Sequence, residues 1–353
     1  MTRLFRIMFL LSVLLLAAVG PAGAMDKWDI TSINGVDYVS LSDVWRFYKF
    51  SRMRGKPGCV SYGAANRIIS VRPMRQDFYV NDYRYILSYP VQERGGQLYI
   101  STIDMKKLVD PVLRPKLSRA EQITTVVLDP GHGGHDAGAV SSYAREKDCN
   151  LALALKVREK LKRAGFKVVM TRDRDFFLTL GERVAIANRT PNSIFVSIHH
   201  NSSKGSAASG IETFTLAPHG TTSPFARTRR TEELTGNNQD SENIALATAV
   251  HSAAIKSTAA IDRGIQRARF SVLCTIRRPA ILFEGGFVSH PQEGSKISSA
   301  SYQNVLAQCI CDGIIRYRAM TKNSSFSPQR SAPSSALRGG TARAGSAGRV
   351  LTN

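Results

Sequence analysis

From Ile123 onward, short apolar runs alternate with amphipathic helical stretches, and that alternation admits few folds. Strands are expected at Thr125 to Leu128, Lys167 to Thr171, Ser193 to His199, Gly210 to Leu216, Phe270 to Thr275 and Ala280 to Phe283. Helices are expected at Asp148 to Ala164, Leu180 to Asn188, Ser241 to Ile255 and Tyr302 to Tyr317. In the first helix Leu153, Val157, Leu161 and Ala164 share one face, and Gly165 ends it. This order argues for an α/β domain over residues 123–319, with a mostly parallel sheet carrying helices on both faces.

A different pattern precedes it. Residues 28–113 read as a small α+β module, closed by a linker marked by Pro111 and Pro115. The module repeats itself. Gly35 to Val44 and Gly96 to Met105 each run as a glycine turn, a short strand through a tyrosine, and a serine that caps a helix start. Arg67 to Val71 and Phe78 to Tyr85 are further expected strands.

The two ends differ again. Arg3 and Arg6 precede an apolar run from Ile7 to Val19, and Pro21-Ala22-Gly23-Ala24 supplies small residues. Residues 1–24 are therefore expected to be a secretory signal peptide, leaving no integral membrane span after cleavage. Residues 320–353 are rich in Ser, Ala, Gly, Pro and Arg, and are expected to be a disordered basic tail. The formal net charge of +21 calls for an anionic partner. Export, and the lack of any nucleic-acid motif, favours acidic cell-wall polymers over nucleic acid, met through the basic surface and the tail. The five cysteines form no C-x-x-C pair and are expected to be mostly buried apolar residues.

Four polar residues interrupt this framework. His132 follows the first apolar strand, Glu146 opens the next helix, and His199 and Glu284 stand where two later strands end. In open α/β sheets the carboxyl ends of strands form the ligand-binding edge. Unpaired polar groups there are costly, and one shared ligand would account for all four. Two imidazoles and a carboxylate suit catalytic zinc, which keeps one position open for water. A further carboxylate can serve as general base. Spacing alone does not separate such a set from isolated, hydrogen-bonded groups.

The motifs around these residues do. Leu128-Asp129-Pro130-Gly131-His132-Gly133-Gly134-His135-Asp136-Ala137-Gly138 resembles the opening motif of the zinc-dependent N-acetylmuramoyl-L-alanine amidases. The helix Thr179 to Asn188, the segment Ser197-Ile198-His199-His200-Asn201, the strand start Gly210-Ile211-Glu212 and the stretch Pro279 to Ser289 resemble that family's later motifs, in order. The resemblance implies zinc held by His132, Glu146 and His199, with Glu284 as the catalytic carboxylate. It also implies a secreted, periplasmic or wall-associated peptidoglycan hydrolase that cuts the amide between N-acetylmuramic acid and L-alanine of the stem peptide. His200 is a departure, since the position after the ligand histidine is usually small in the family. Strand alternation should turn its ring away from that of His199.

Other roles follow at lower resolution. Asp129 either orients His132 or caps a strand end. Arg183 is expected to brace the fold. The loop Ala217 to Asp240, which carries Arg227, Arg229 and Arg230, is expected to govern substrate access. The echo in the first module resembles the paired halves of the copper-amine-oxidase-like N-terminal domain attached to wall enzymes. That likeness suggests wall binding, and implies neither copper nor amine oxidation. Two other readings remain: a zinc peptidase acting within the stem peptide, and a catalytically silent wall-binding protein.

Overall fold

The computed structural model describes residues 28–55, 57–64, 67–117, 123–223 and 232–322. The expected signal peptide, all but the first three residues of the expected tail, and the three loop arginines lie outside the described residues.

The first unit opens with β1 (Ile30–Ile33) and β2 (Val36–Ser40). They are joined at Asn34-Gly35, where φ is 53° and 72°, a two-residue turn that suits the strand twist. Helix α1 (Leu41–Phe47) follows, its start capped by Ser40 Oγ accepting from the Ser42 N–H. A meander comes next: β3 (Ser51–Met53), β4 (Val60–Ala64), β5 (Arg67–Val71), β6 (Asp77–Val80) and β7 (Tyr83–Ile86). The single strand expected at Phe78 to Tyr85 is thus a hairpin, broken at Asn81-Asp82 where φ is 47° and 70°. Strands β8 (Gln92–Arg94) and β9 (Gln97–Ser101) lead into α2 (Thr102–Asp104), a π-helical turn (Met105–Val109) and α3 (Asp110–Leu113). The two copies of the internal echo meet: β2 pairs antiparallel with β9, Tyr38 opposite Ser101.

The second unit supplies β10 (Thr125–Pro130), α4 (Glu146–Arg163), β11 (Lys167–Met170), α5 (Leu180–Arg189), β12 (Ser193–Asn201) and β13 (Ile211–Leu216). After them come α6 (Asp240–Thr258), β14 (Asp262–Ala268), α7 (Ser271–Cys274), β15 (Ala280–Phe287), α8 (Pro291–Ser298) and α9 (Ala300–Lys322). The strand expected at Phe270 to Thr275 is a short helix instead. The strand lies just before it, at β14, where Arg263, Gln266 and Arg267 hide the apolar signal. Arg267 is buried there, donating to the Leu216 and Lys107 carbonyls and to Asp240.

Strands β11, β10, β12 and β15 run parallel, β13 lies antiparallel to β15, and β14 runs parallel to β13. This is the expected α/β class, with one reversal inside a mostly parallel set. The sheet continues past β14 into β7, and then through β6 to β3, so strands from both units share it. Helices α4, α6 and α9 pack into the same hydrophobic core as the inner face of the first unit, including Trp45, Phe78, Tyr85 and Leu87. Further links cross the boundary: Tyr85 Oη to Thr248 Oγ1 at 3.1 Å, and the Arg84 N–H to Asp262 Oδ2 at 2.9 Å. Among the described residues no helix is long and apolar enough to cross a membrane. All five cysteines are free, with Cys149, Cys309 and Cys311 buried.

Candidate metal centre

Each candidate ligand is delivered by a different element. His132 sits two residues beyond β10 with φ of 61°, a left-handed conformation that turns its ring back over the sheet edge. Glu146 is the first residue of α4, and His199 lies near the end of β12. The structure brings the three together, with one donor atom from each within 4.8 Å of the others. His199 Nδ1 is 2.9 Å from Glu146 Oε1, and His132 Nε2 is 3.2 Å from the same oxygen. The imidazoles meet nearly edge to face, with centroids 5.1 Å apart and planes at 80°.

Two glycines make that approach possible. A Cβ on Gly131 would stand 2.0 Å from His199 Cε1. One on Gly138 would stand 2.6 Å from His132 Cδ2 and 2.7 Å from Glu146 Oε2, and φ there is 65°. The loop can close over the ligands only because those positions lack side chains.

Glu146 is buried, which alone would raise its pKa, but the hydrogen bonds from His132 and His199 hold it well below the usual carboxylate range. His132 is pulled the other way: burial lowers it, while Glu146 and Asp136 outweigh that and raise it. Two imidazole nitrogens and an ionised carboxylate oxygen aimed at one point are the donor set that zinc takes, so the residues present fit the metal.

Glu284 comes from β15, in parallel register with His199 on β12 and in antiparallel register with Glu212 on β13. Its strand runs on to Phe287, and β12 to Asn201, so both residues lie inside strands rather than at their ends. Between these pairs the register slips: Asn201 pairs with Phe287, which leaves Gly285-Gly286 as a bulge with φ of 126° at Gly286. Burial, then the charges of Glu146 and Glu212, push the Glu284 carboxyl well above its ordinary value. Its Oε2 has no hydrogen-bond partner among the described residues. Glu212 itself is neutralised by Arg263 and accepts from Asn201 Nδ2 at 3.0 Å.

The residue orienting His132 is Asp136, not Asp129. Asp136 Oδ2 lies 2.8 Å from His132 Nδ1, leaving Nε2 to face Glu146. Asp129 instead takes Thr171 Oγ1, Arg183 Nη1 and Ser197 Oγ, a wholly structural set. Arg183 is a brace, donating also to the carbonyls of Pro130 and His132. Arg172 has a similar role that the sequence did not reveal: it is buried and donates to the carbonyls of Pro130, Gly131 and Lys147. His200 points away from His199, as alternation requires, into a wholly buried site where desolvation lowers its pKa to about 4.

A family profile described as N-acetylmuramoyl-L-alanine amidase matches residues 126–316. Among curated relatives, the chain is 36% identical over 207 residues to the uncharacterised protein YqiI of Bacillus subtilis, covering 58% of this chain and 91% of that one. It is 30% identical over 229 residues to the N-acetylmuramoyl-L-alanine amidase AmiA of Escherichia coli, covering 58% of this chain and 79% of the relative. The N-acetylmuramoyl-L-alanine amidase LytC of B. subtilis is 32% identical over 193 residues, 55% of this chain but only 35% of LytC. The family match covers the strands and helices that carry His132, Glu146, His199 and Glu284.

Proposed function

The chain belongs to the N-acetylmuramoyl-L-alanine amidase family, and on that premise we propose that it hydrolyses the amide joining the lactyl group of N-acetylmuramic acid to L-alanine in peptidoglycan. The observation that carries this reading is the convergence of His132, Glu146 and His199, with a buried Glu284, whose Oε2 has no hydrogen-bond partner among the described residues, one strand away.

His132 through Nε2, His199 through Nδ1 and Glu146 through its carboxylate would hold zinc. Bound there, zinc supplies Lewis acidity, polarising the scissile carbonyl and easing deprotonation of the attacking water. Glu284 is the proton carrier. Its raised proton affinity suits it to take the proton of the attacking water and deliver it to the leaving amine of alanine. Asp136 fixes the His132 ring so that Nε2 stays presented. Arg172 and Arg183 anchor the Gly131-His132 backbone through its carbonyls, so the ligand loop holds its shape through turnover.

Export by residues 1–24 and attachment to anionic wall polymers through the tail and the basic surface complete the reading; the charge of +21 supports it. The unit at residues 28–113 carries none of the four candidate residues, which favours attachment over chemistry as its role.

Chelation tests the proposal. Metal-stripped protein should release no alanine-terminated stem peptide from purified wall, and zinc should restore release. Full activity without metal excludes the zinc reading. Cleavage within the stem makes the chain a peptidase, and wall binding without any cleavage makes it a silent binder.

A further inference from the structure

His200 follows the candidate ligand His199 on β12, and its surroundings make room for its ring. A Cβ on Gly285 would lie only 3.0 Å from His200 Nε2, so the glycine bulge of β15 is what the ring fits against. The ring is wholly buried, and Nε2 has no hydrogen-bond partner among the described residues. An apolar residue would fill this space without that cost. The retained polar contact is Nδ1, 2.8 Å from Asn150 Oδ1.

Asn150 lies one helical turn after Glu146 and is itself fully buried. Its amide nitrogen faces two acceptors, Glu146 Oε1 and the Gly131 carbonyl, each at 3.3 Å. Its oxygen therefore faces His200, and His200 carries its proton on Nδ1. Turning the amide over would aim its oxygen at Glu146 Oε1 and the Gly131 carbonyl, and its nitrogen at a donor. Glu146 and Gly131 thus set the amide's orientation, and His200 Nδ1 completes its contacts by donating to Oδ1, so the amide is held from both ends. The His200 backbone N–H also reaches Glu146 Oε1, at 3.4 Å.

We propose that His200 is a positioning residue which, by fixing the Asn150 amide, holds Glu146 and the Gly131-His132 loop in the geometry that receives the metal. The relay ties together the three segments bearing the candidate ligands: the end of β12, the first turn of α4 and the loop after β10. It rests on the zinc reading above, and concerns a residue outside the donor set.

The experiment measures zinc affinity of the full-length protein by competition with a chromophoric chelator. The melting temperature of the metal-free form is recorded as a check on folding. Partners of this kind contribute about 10- to 100-fold to metal affinity. His200→Ala should weaken zinc binding by about 10-fold, the low end of that range, because His200 acts one bond further out. His200→Asn, which places an amide donor close to the Nδ1 position, should recover most of the loss. In an Asn150→Ala background, His200→Ala should weaken binding no further, since the intermediary is gone. Cobalt-substituted His200→Ala should show an altered visible spectrum, which a loss of packing alone would not produce. Parental zinc affinity in folded His200→Ala overturns the relay, as does His200→Asn binding no better than His200→Ala. Wild-type protein that takes up no zinc overturns the metal reading as well, and so separates the two failures.

Discussion

His199 and Glu284 are direct cross-strand neighbours, paired in parallel register on β12 and β15, and Glu212 pairs with Glu284 from the opposite side. One row across the sheet therefore places an imidazole, a buried carboxylate and a neutralised carboxylate side by side. The chemistry depends on that row. A one-residue slip of β15 would turn Glu284 to the other face.

Glu284→Gln separates catalysis from stability. The variant should keep the metal and lose about 100- to 10,000-fold in turnover, the usual worth of a general base. Its metal-free form should melt higher than the parent at neutral pH. A carboxyl whose folded pKa lies above its unfolded value destabilises the fold once pH exceeds the unfolded value, and an amide has no such charge to bury. Metal content, steady-state rates and calorimetry read the three effects. Loss of the metal in this variant would contradict the division of roles.

Asp136 and Asp129 should part company. Asp136→Asn should weaken zinc binding by about 10- to 100-fold while leaving the melting temperature nearly unchanged, because Oδ1 can still accept from the Gly138 N–H and only the His132 contact is lost. Asp129→Asn breaks a buried set that includes Arg183 and should cost about 3–5 kcal/mol of stability. Equal effects of the two on zinc affinity would count against the assignment of Asp136.

Gly131→Ala should lose metal binding even where the protein still folds. The added methyl meets the His199 ring itself at 2.0 Å, so the ring must leave its place. Overpacking of this kind costs about 1–3 kcal/mol, which the fold can absorb and the site cannot. Retention of parental zinc affinity would show that the loop has more freedom than its contacts indicate.

Asp262 links the two units through the Arg84 N–H and also accepts from the Gly264 N–H while facing His251 Nε2. Burial raises its pKa, but the His251 interaction and the two backbone donors outweigh this and lower it. A depressed carboxyl stabilises the fold above its unfolded pKa, near 4, and that stabilisation is lost as pH falls through the lower folded value. Asp262→Asn should cost about 1–3 kcal/mol at neutral pH and flatten the acid limb of the stability curve. An unchanged acid limb in chemical denaturation would remove this carboxylate from the link.

Much of the second unit was legible because its central strands are uninterrupted apolar runs, and because the glycines beside His132 and Glu284 mark places where backbone must approach side chains. The grouping of His132, Glu146 and His199 came from the resemblance of their motifs to the amidase family, since spacing alone left isolated, hydrogen-bonded groups equally open. Strand β14 was not legible, since four polar side chains occupy seven residues and Arg267 is buried through contacts formed only in the fold. The hairpin at Asn81-Asp82 was hidden by aromatic residues on both sides, although Asn-Asp is itself a turn signal. Asp136 was within reach, as an acidic residue four positions beyond His132 in the same glycine-rich loop. The continuation of the sheet from β14 into β7 rests on pairing across the chain that no local pattern records.

The most direct test of the central claim is to digest purified peptidoglycan with the zinc-loaded protein and to identify the new termini by mass spectrometry. Free L-alanine amino groups on released stem peptides, with glycan strands left carrying unsubstituted lactyl carboxylates, are the predicted products. New termini within the stem peptide, or new reducing sugar ends, would contradict it.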